Sequence, residues 1–140
     1  MINNSTEKSY VVGMDIGGTN TVFGIVDARG NILCHDCVKT QAYPTIEEYL
    51  DAVCEKLLPM IREQVDFENI KGLGIGAPNG NYYSGCIEQA ANLPWKGVVP
   101  IASMFSAKTG LPTVLTNDAK AAAIGEMTYG AARGMKDFIM

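Results

Sequence analysis

The chain has 140 residues, enough for one ordinary domain or for about one lobe of a larger enzyme. Apolar residues make up 47% of it, which supports a packed core and excludes wholesale disorder. The net charge of −4, with no basic run, argues against a nucleic-acid partner, and no apolar stretch approaches the roughly 18 residues of a membrane helix. Residues 1–9 are polar and lack a signal-peptide core, so we expect a flexible N-terminal segment and a cytoplasmic protein with no membrane partner.

Three strands joined by tight turns are predicted to open the chain. Residues 10–15 and 21–27 are apolar runs, and only five residues separate them. Five residues are too few for a helical crossover, so the two strands must be antiparallel neighbours in a hairpin. Residues 28–31 form the next turn, and residues 32–40 pair back as a third strand.

A helix is predicted from residue 46 to residue 64, because apolar residues recur there at helical spacing. Thr45 and Glu48 are placed as a capping box at its start. Pro59 lies inside the span and is expected to kink or split the helix. The later predicted elements are a strand at 70–77, an irregular segment at 79–100, a helix at 100–109, a strand at 112–116, an alanine-rich helix at 118–129 and a strand beginning at 138.

The element order βββαβαβα predicts an α/β fold. An antiparallel three-strand meander followed by helix–strand units implies a mixed five-stranded sheet with flanking helices. The sequence ends as another strand begins. We therefore expect residues 10–140 to form one lobe of a longer protein.

The strongest local signal is Asp15-Ile-Gly-Gly-Thr-Asn20, which follows the first predicted strand. Gly17 and Gly18 lack Cβ atoms, so this turn can take positive φ and let an anion approach the backbone amides. Asp15 adds a carboxylate that suits a hydrated Mg²⁺, so a phosphate-binding turn is indicated. The lysine of a P-loop and the helix of a dinucleotide fingerprint are both missing from this segment. A plain β-turn that only closes the hairpin remains the alternative.

A second candidate site lies where the strand at 112–116 meets the following helix. Asp118 stands beyond the carboxyl end of that strand, where ligands bind in open α/β sheets. It can act as a general base towards a substrate hydroxyl or simply cap the helix. Trp95 fits either a core position or a platform on which a sugar ring stacks. Short amides in or beside loops can hold a polyhydroxylated substrate or serve as turn residues, and they are Asn79, Asn92 and Asn117.

Cysteine spacing gives weak support for a metal or redox site. Cys34 and Cys37 have the C-x-x-C spacing, but a zinc site needs four ligands, which requires Cys54 or Cys86 to fold nearby. The pair also lacks the helix start of a thioredoxin-like site, and a cytosolic context favours free thiols. We expect ordinary strand residues here, and no direct metal ligand in the chain, with Asp15 reaching Mg²⁺ through water.

Taken in order, four segments resemble the N-terminal lobe of ROK-family sugar kinases, and the resemblance extends over residues 10–140. The four segments are Asp15-Ile-Gly-Gly-Thr-Asn20, Gly74-Ile-Gly-Ala-Pro-Asn-Gly80, Asn92-Leu-Pro-Trp95 and Asn117-Asp-Ala-Lys-Ala-Ala-Ala-Ile-Gly-Glu126. The resemblance implies an RNase H-like fold of the actin and hexokinase type. It also implies that ATP phosphates and Mg²⁺ bind at Asp15, Gly17, Gly18, Thr19 and Asn20. Sugar hydroxyls are implied to bind at Asn79, Gly80, Asn92, Asn117 and Asp118, with Asp118 as the catalytic base.

The implied reaction is ATP-dependent phosphorylation of a hexose at the 6-hydroxyl, with glucose as the leading substrate and a homodimer as the expected assembly. The second phosphate motif, the adenosine site and the family's zinc cluster would lie in a second lobe beyond residue 140. The 140-residue chain alone is therefore expected to be inactive. Asn79 stands where the family commonly has glycine, and Lys120 where asparagine is frequent, so the identity of the sugar stays open.

Two other functions remain as alternatives. A sugar-responsive transcriptional regulator of the same family carries a DNA-binding helix-turn-helix, and the nine residues before the first predicted strand are too few for one. A non-enzymatic sugar-binding module would keep the asparagines but has no need for Asp15 or the glycine turn.

Overall fold

The computed structural model describes residues 9–117, and its first three strands form an antiparallel meander. β1 spans Tyr10–Ile16, β2 spans Asn20–Asp27 and β3 spans Ile32–Lys39. β1 pairs antiparallel with β2, and β2 pairs antiparallel with β3. The predicted meander is confirmed, and the end of each strand lies within one residue of its predicted position.

The first helix has the predicted bounds, since α1 spans Ile46–Gln64. The Glu48 amide donates to Thr45 Oγ1 at 3.2 Å, and the Thr45 amide donates to the Glu48 carboxylate at 3.4 Å, so the capping box is present. The helix continues through Pro59, so the expectation of a split helix is wrong. Proline removes one hydrogen bond from the helix. Leu57 and Ile61, on either side of it, are fully buried in the core and hold both neighbouring turns in place.

A second, smaller sheet follows the fourth strand of the main sheet. β4 spans Ile70–Gly76 and pairs parallel with β1. The prediction of an irregular segment at 79–100 is wrong, because this segment contains three short antiparallel strands. They are β5 (Gly80–Asn81), β6 (Cys86–Glu88) and β7 (Val98–Val99), paired in the order β5-β6-β7. Strands of two or three residues are too short to show an alternating pattern in the sequence.

The last described helix and strand complete the main sheet. α2 spans Ile101–Thr109 and is closed by Gly110, whose φ of 76° is left-handed. β8 spans Thr113–Thr116 and pairs parallel with β4, so the sheet order is β3-β2-β1-β4-β8. α1 and α2 contact each other and share one hydrophobic core with the sheet. The predicted mixed five-stranded sheet is confirmed, whereas the elements predicted from residue 118 onward lie outside the described residues.

The carboxyl ends of three adjacent parallel strands lie side by side. Asp15 of β1 pairs with Gly76 of β4, and Gly76 pairs with Thr116 of β8. The loops that follow these strands therefore start from one edge of the sheet. That edge is where open α/β sheets bind their ligands.

The two cysteines of the C-x-x-C pair lie in a strand, as predicted. Cys34 and Cys37 are residues of β3, and all four cysteines are free thiols. Within residues 9–117, no group of three or more His, Cys, Asp or Glu side chains is arranged to hold a metal ion. In the same part of the chain, no helix has the length and apolar character needed to span a membrane.

Candidate functional site

The glycine turn, residues 17–20, connects β1 to β2 at the carboxyl edge of the sheet. The Gly17 amide donates to the Asn20 carbonyl oxygen at 2.9 Å. Neither Gly17 nor Gly18 has a positive φ, so the turn does not use the left-handed backbone that glycine allows. Glycine is required here for space instead, because a Cβ on Gly17 would lie 2.9 Å from the Asn20 carbonyl oxygen. Backbone carbonyls cannot easily retreat from such a contact.

Three predicted phosphate-site residues expose polar groups at this turn. Asp15 is exposed near the end of β1, and Thr19 and Asn20 are exposed in the turn itself. They offer to solvent a carboxylate on β1, a hydroxyl in the turn and an amide at the start of β2. A single exposed carboxylate fits a Mg²⁺ ion that keeps several waters and is held chiefly by substrate phosphates. The donor set therefore suits a phosphate–magnesium ligand.

A second loop, residues 92–95, lies directly against the glycine turn. A Cβ on Gly18 would lie 3.1 Å from Nδ2 of Asn92 and 3.3 Å from its carbonyl oxygen. The backbone of Gly18 is therefore in contact with Asn92, which is itself exposed. The structure brings together a residue predicted to bind phosphate and one predicted to bind sugar. A ligand held by Asn92 would be an immediate neighbour of a ligand held by the turn.

The loop that carries Asn79 and Gly80 lies beside the end of β8. Gly80 packs so closely against Thr116 that a Cβ there would lie 2.5 Å from the Thr116 carbonyl oxygen. The side-chain amide of Asn79 donates to the carbonyl oxygens of Glu88 at 2.9 Å and Gln89 at 3.1 Å. This loop therefore ties the edge of the main sheet to the small sheet. Both donor hydrogens of the Asn79 side chain are used in these contacts, which leaves its oxygen for a ligand.

The end of β8 places one further predicted residue at the same edge. Asn117 directly follows β8 and is exposed. Asp118, predicted to be the catalytic base, lies outside the described residues, as does the helix predicted at 118–129. The described strand end nevertheless belongs to the sheet edge that carries the glycine turn.

Gln41, which the sequence analysis did not single out, joins the two loops. Its side-chain nitrogen Nε2 donates to the Gly18 carbonyl at 2.7 Å and to the Asn92 carbonyl at 3.0 Å. The only signal for it in the sequence is its position two residues after a strand, in the polar pair Thr40-Gln41. That signal is common in loops, so the role of Gln41 emerges only from the structure.

Trp95 is a core residue, and the alternative of a sugar-stacking platform is wrong. Its side chain is 6% exposed, and its ring centroid lies 4.3 Å from that of Tyr49. Its indole nitrogen Nε1 donates to the Tyr43 carbonyl oxygen at 3.2 Å. Buried tryptophan commonly finds such a partner for its single donor. Trp95 thus anchors the end of the 92–95 loop in the core.

A buried hydroxyl cluster lies close in sequence to the glycine turn. Thr21 Oγ1 lies 2.9 Å from Thr40 Oγ1 and 2.8 Å from the Tyr49 hydroxyl, and all three residues are fully buried. Burial raises the pKa of Tyr49 well above its ordinary value of 10.0, and the hydrogen bond with Thr21 opposes that shift only in part. The phenol stays protonated at neutral pH and serves to hold the start of β2 against α1.

Comparison with known proteins gives one family and several relatives. The model of the ROK family matches residues 11–140. The glucokinase of Streptomyces coelicolor is 33% identical over 129 residues, which are 91% of this chain and 38% of that protein. The xylose repressor of Caldicellulosiruptor bescii is 37% identical over 131 residues, which are 92% of this chain and 33% of that protein.

A solved structure of a ROK family protein has a similar fold. The ROK family glucokinase of Streptomyces griseus, crystallised in complex with glucose and AMPPNP, is 35% identical to this chain. It superposes with a TM-score of 0.66 over 87% of this chain and 37% of that one, which confirms the predicted hexokinase-type fold. The chain spans less than two fifths of the length of either glucokinase.

Proposed function

The chain belongs to the ROK family, and on that basis we propose that residues 10–140 are the N-terminal lobe of an ATP-dependent hexose kinase. The full-length protein transfers the γ-phosphoryl group of ATP to the 6-hydroxyl of a hexose, with glucose as the leading substrate. Similarity to glucokinases supports this assignment over other sugars. We further propose that the full-length protein is a cytoplasmic homodimer.

The observation that carries this proposal is the contact between Gly18 and Asn92. A phosphoryl transferase must hold its donor and acceptor substrates side by side, because positioning supplies much of its catalysis. The glycine turn suits phosphate oxygens, and Asn92 suits a sugar hydroxyl. We call the glycine turn the phosphate half-site and the 92–95 loop the sugar half-site. A Cβ on Gly18 would lie 3.1 Å from the Asn92 amide nitrogen, so these two half-sites are adjacent.

Each group at the edge then has a part in the reaction. Asp15, Thr19 and the turn bind and orient the phosphates, and Mg²⁺, when bound, supplies positive charge to the transferring phosphoryl group. Asn79, Gly80, Asn92 and Asn117 hold the sugar. Asp118, which follows Asn117 in the chain, accepts the 6-hydroxyl proton as that oxygen bonds to the γ-phosphorus and ADP leaves.

The proposal is tested with the full-length protein in a coupled assay of ADP release. The panel contains glucose, mannose, fructose and the N-acetylated amino sugars, each with ATP and Mg²⁺. We expect glucose to give the highest kcat/KM. A different preferred sugar corrects the substrate, whereas no sugar-dependent ADP release from a folded protein contradicts a kinase.

The base assignment is tested by Asp118→Asn in the same protein. We expect kcat to fall by about 10²–10⁴-fold, the usual contribution of general-base catalysis, while the sugar Kd from calorimetry changes little. Asp66→Asn, an exposed aspartate before the short turn that leads into β4, is the matched control. Unchanged turnover in Asp118→Asn would refute the assignment.

A transcriptional regulator is the second candidate, because a xylose repressor is 37% identical to this chain. It predicts sugar binding without ADP release, together with DNA binding that changes when sugar is added. Calorimetry with each sugar and a gel-shift assay on the full-length protein separate the two candidates. Sugar binding with neither ADP release nor DNA binding points to a non-enzymatic module.

A further inference from the structure

The connection between β3 and α1, residues 40–45, contacts both loops of the candidate site. The Thr40 amide donates to the Thr19 carbonyl oxygen in the glycine turn at 2.9 Å. The Tyr43 carbonyl accepts the indole hydrogen bond of Trp95, at the end of the 92–95 loop. Gln41 stands between these two contacts and reaches both loops with one nitrogen. One short segment therefore supports the two half-sites together.

The geometry at Gln41 requires a donor with two hydrogens. Its Nε2 faces the carbonyl oxygens of Gly18 and Asn92, at 2.7 Å and 3.0 Å, and neither oxygen can donate in return. A primary amide supplies one hydrogen to each. A carboxylate of the same shape would place an acceptor oxygen opposite two carbonyl oxygens, which repel it. A thioether would offer those two carbonyl oxygens no donor.

The connection is anchored in the core by Thr40, the residue before Gln41, and this fixes the backbone position of Gln41. Thr40 is fully buried, and its hydroxyl joins the Thr21–Tyr49 hydrogen bonds. Tyr49 in turn packs against Trp95. Because both sides of the connection are anchored, a shift of one loop at Gln41 must strain the other.

We propose that Gln41 is a positioning residue that sets the distance between the sugar and the phosphoryl donor. Its side-chain nitrogen donates to two backbone carbonyls, so the role we assign to it is to hold the glycine turn and the 92–95 loop at a fixed distance, and not to bind a substrate. This inference rests on the proposed kinase function. Loss of the two hydrogen bonds lets the loops separate while each keeps its own ligand contacts, so turnover falls more than binding.

The test is a series of variants at Gln41 in the full-length protein. Gln41→Met removes the donor at equal length, Gln41→Glu replaces it with an acceptor, and Gln41→Lys restores a donor. We expect kcat to fall by about 10–100-fold in the first two, as for a misplacement of about 1 Å, and most in Gln41→Glu. The sugar Kd measured without nucleotide should change by less than about threefold, and Gln41→Lys should recover most of the lost kcat.

Matched controls are Gln64→Met and Gln64→Glu. Gln64 is exposed at the far end of α1, about 27 Å along the helix axis from its start next to the connection. Thermal unfolding of every variant reports folding. If Gln41→Glu does not fold, Gln41→Met and Gln41→Lys still decide the question.

Three outcomes overturn the inference. Wild-type kcat in both Gln41→Met and Gln41→Glu shows that the bridge does not position the substrates. An equal loss in sugar Kd and in kcat, with no recovery in Gln41→Lys, assigns Gln41 to the sugar loop alone. Absence of turnover in the wild-type protein with every sugar defeats the proposed function itself, and the inference with it.

Discussion

Gly18→Ala tests whether the two half-sites touch. The new Cβ would lie 3.1 Å from Nδ2 of Asn92, 3.3 Å from its carbonyl oxygen and 3.6 Å from its Cβ. These short distances require Asn92 to move by a few tenths of an ångström. The φ of Gly18 is not positive, so the backbone conformation adds no strain of its own. We expect Gly18→Ala to lower the unfolding free energy by about 1 kcal/mol, the lower limit of the usual cost of overpacking.

The displaced group is the amide that we assign to the sugar, so the kinetic effect should fall on the sugar. Loss of one neutral hydrogen bond, about 1–1.5 kcal/mol, corresponds to a roughly tenfold rise in the sugar KM. The KM for ATP should change by less than about threefold. Steady-state kinetics of the full-length protein, with each substrate varied in turn, measure both constants.

A double-mutant cycle with Asn92→Ala isolates the contact. Removing the Asn92 side chain removes the amide nitrogen that the new Cβ would meet, so Gly18→Ala should destabilise that background by about half as much or less. Additive destabilisation, or an ATP KM that rises as much as the sugar KM, would show that Gly18 and Asn92 do not form one contact.

Two further predictions concern the core. Tyr49→Phe removes the hydroxyl bonded to Thr21 and should cost about 1–2 kcal/mol of unfolding free energy at neutral pH. Burial raises the pKa of Tyr49 above 10.0, so above pH 10 the unfolded chain loses this proton first, and wild-type stability falls as pH rises. The difference between the two proteins in urea unfolding should therefore narrow above pH 10, and a constant difference would contradict the burial argument. Alkylation followed by mass spectrometry should modify exposed Cys37 first and buried Cys54 at least about tenfold more slowly, because burial raises the pKa of the Cys54 thiol and Cys54 lies on the buried face of α1. Equal rates at the two thiols would show that α1 opens readily.

Local signals explain which parts of the fold the sequence predicts well. The bounds of α1 were predictable because Thr45 and Glu48 mark its start and its buried positions repeat at helical spacing. The strands of the meander were predictable because each is long enough to show its pattern. The small sheet was not, because its strands are very short and Ile87 and Val99 join a core that also contains residues of the distant helix α1.

The candidate site shows the same division between local and long-range information. The position of the glycine turn follows from two glycines after an apolar strand. The reason why glycine is needed there does not follow from the local sequence. Gly18 is small because Asn92 lies against it, and no local pattern contains that fact. The role of Gln41 could not be predicted for the same reason, since its two hydrogen-bond partners are 23 and 51 residues away in the chain.

Asn79 shows how a departure from the family pattern can preserve a loop. Its φ of 58° lies in the left-handed region, which glycine favours and which asparagine tolerates better than most residues. The replacement of the common glycine by Asn79 therefore keeps the backbone path. It also adds two hydrogen bonds, to Glu88 and Gln89, that a glycine could not make. Because those bonds use both of its donor hydrogens, Asn79 would act in the proposed sugar site only as an acceptor, and the amide donors proposed there would come from Asn92 and Asn117.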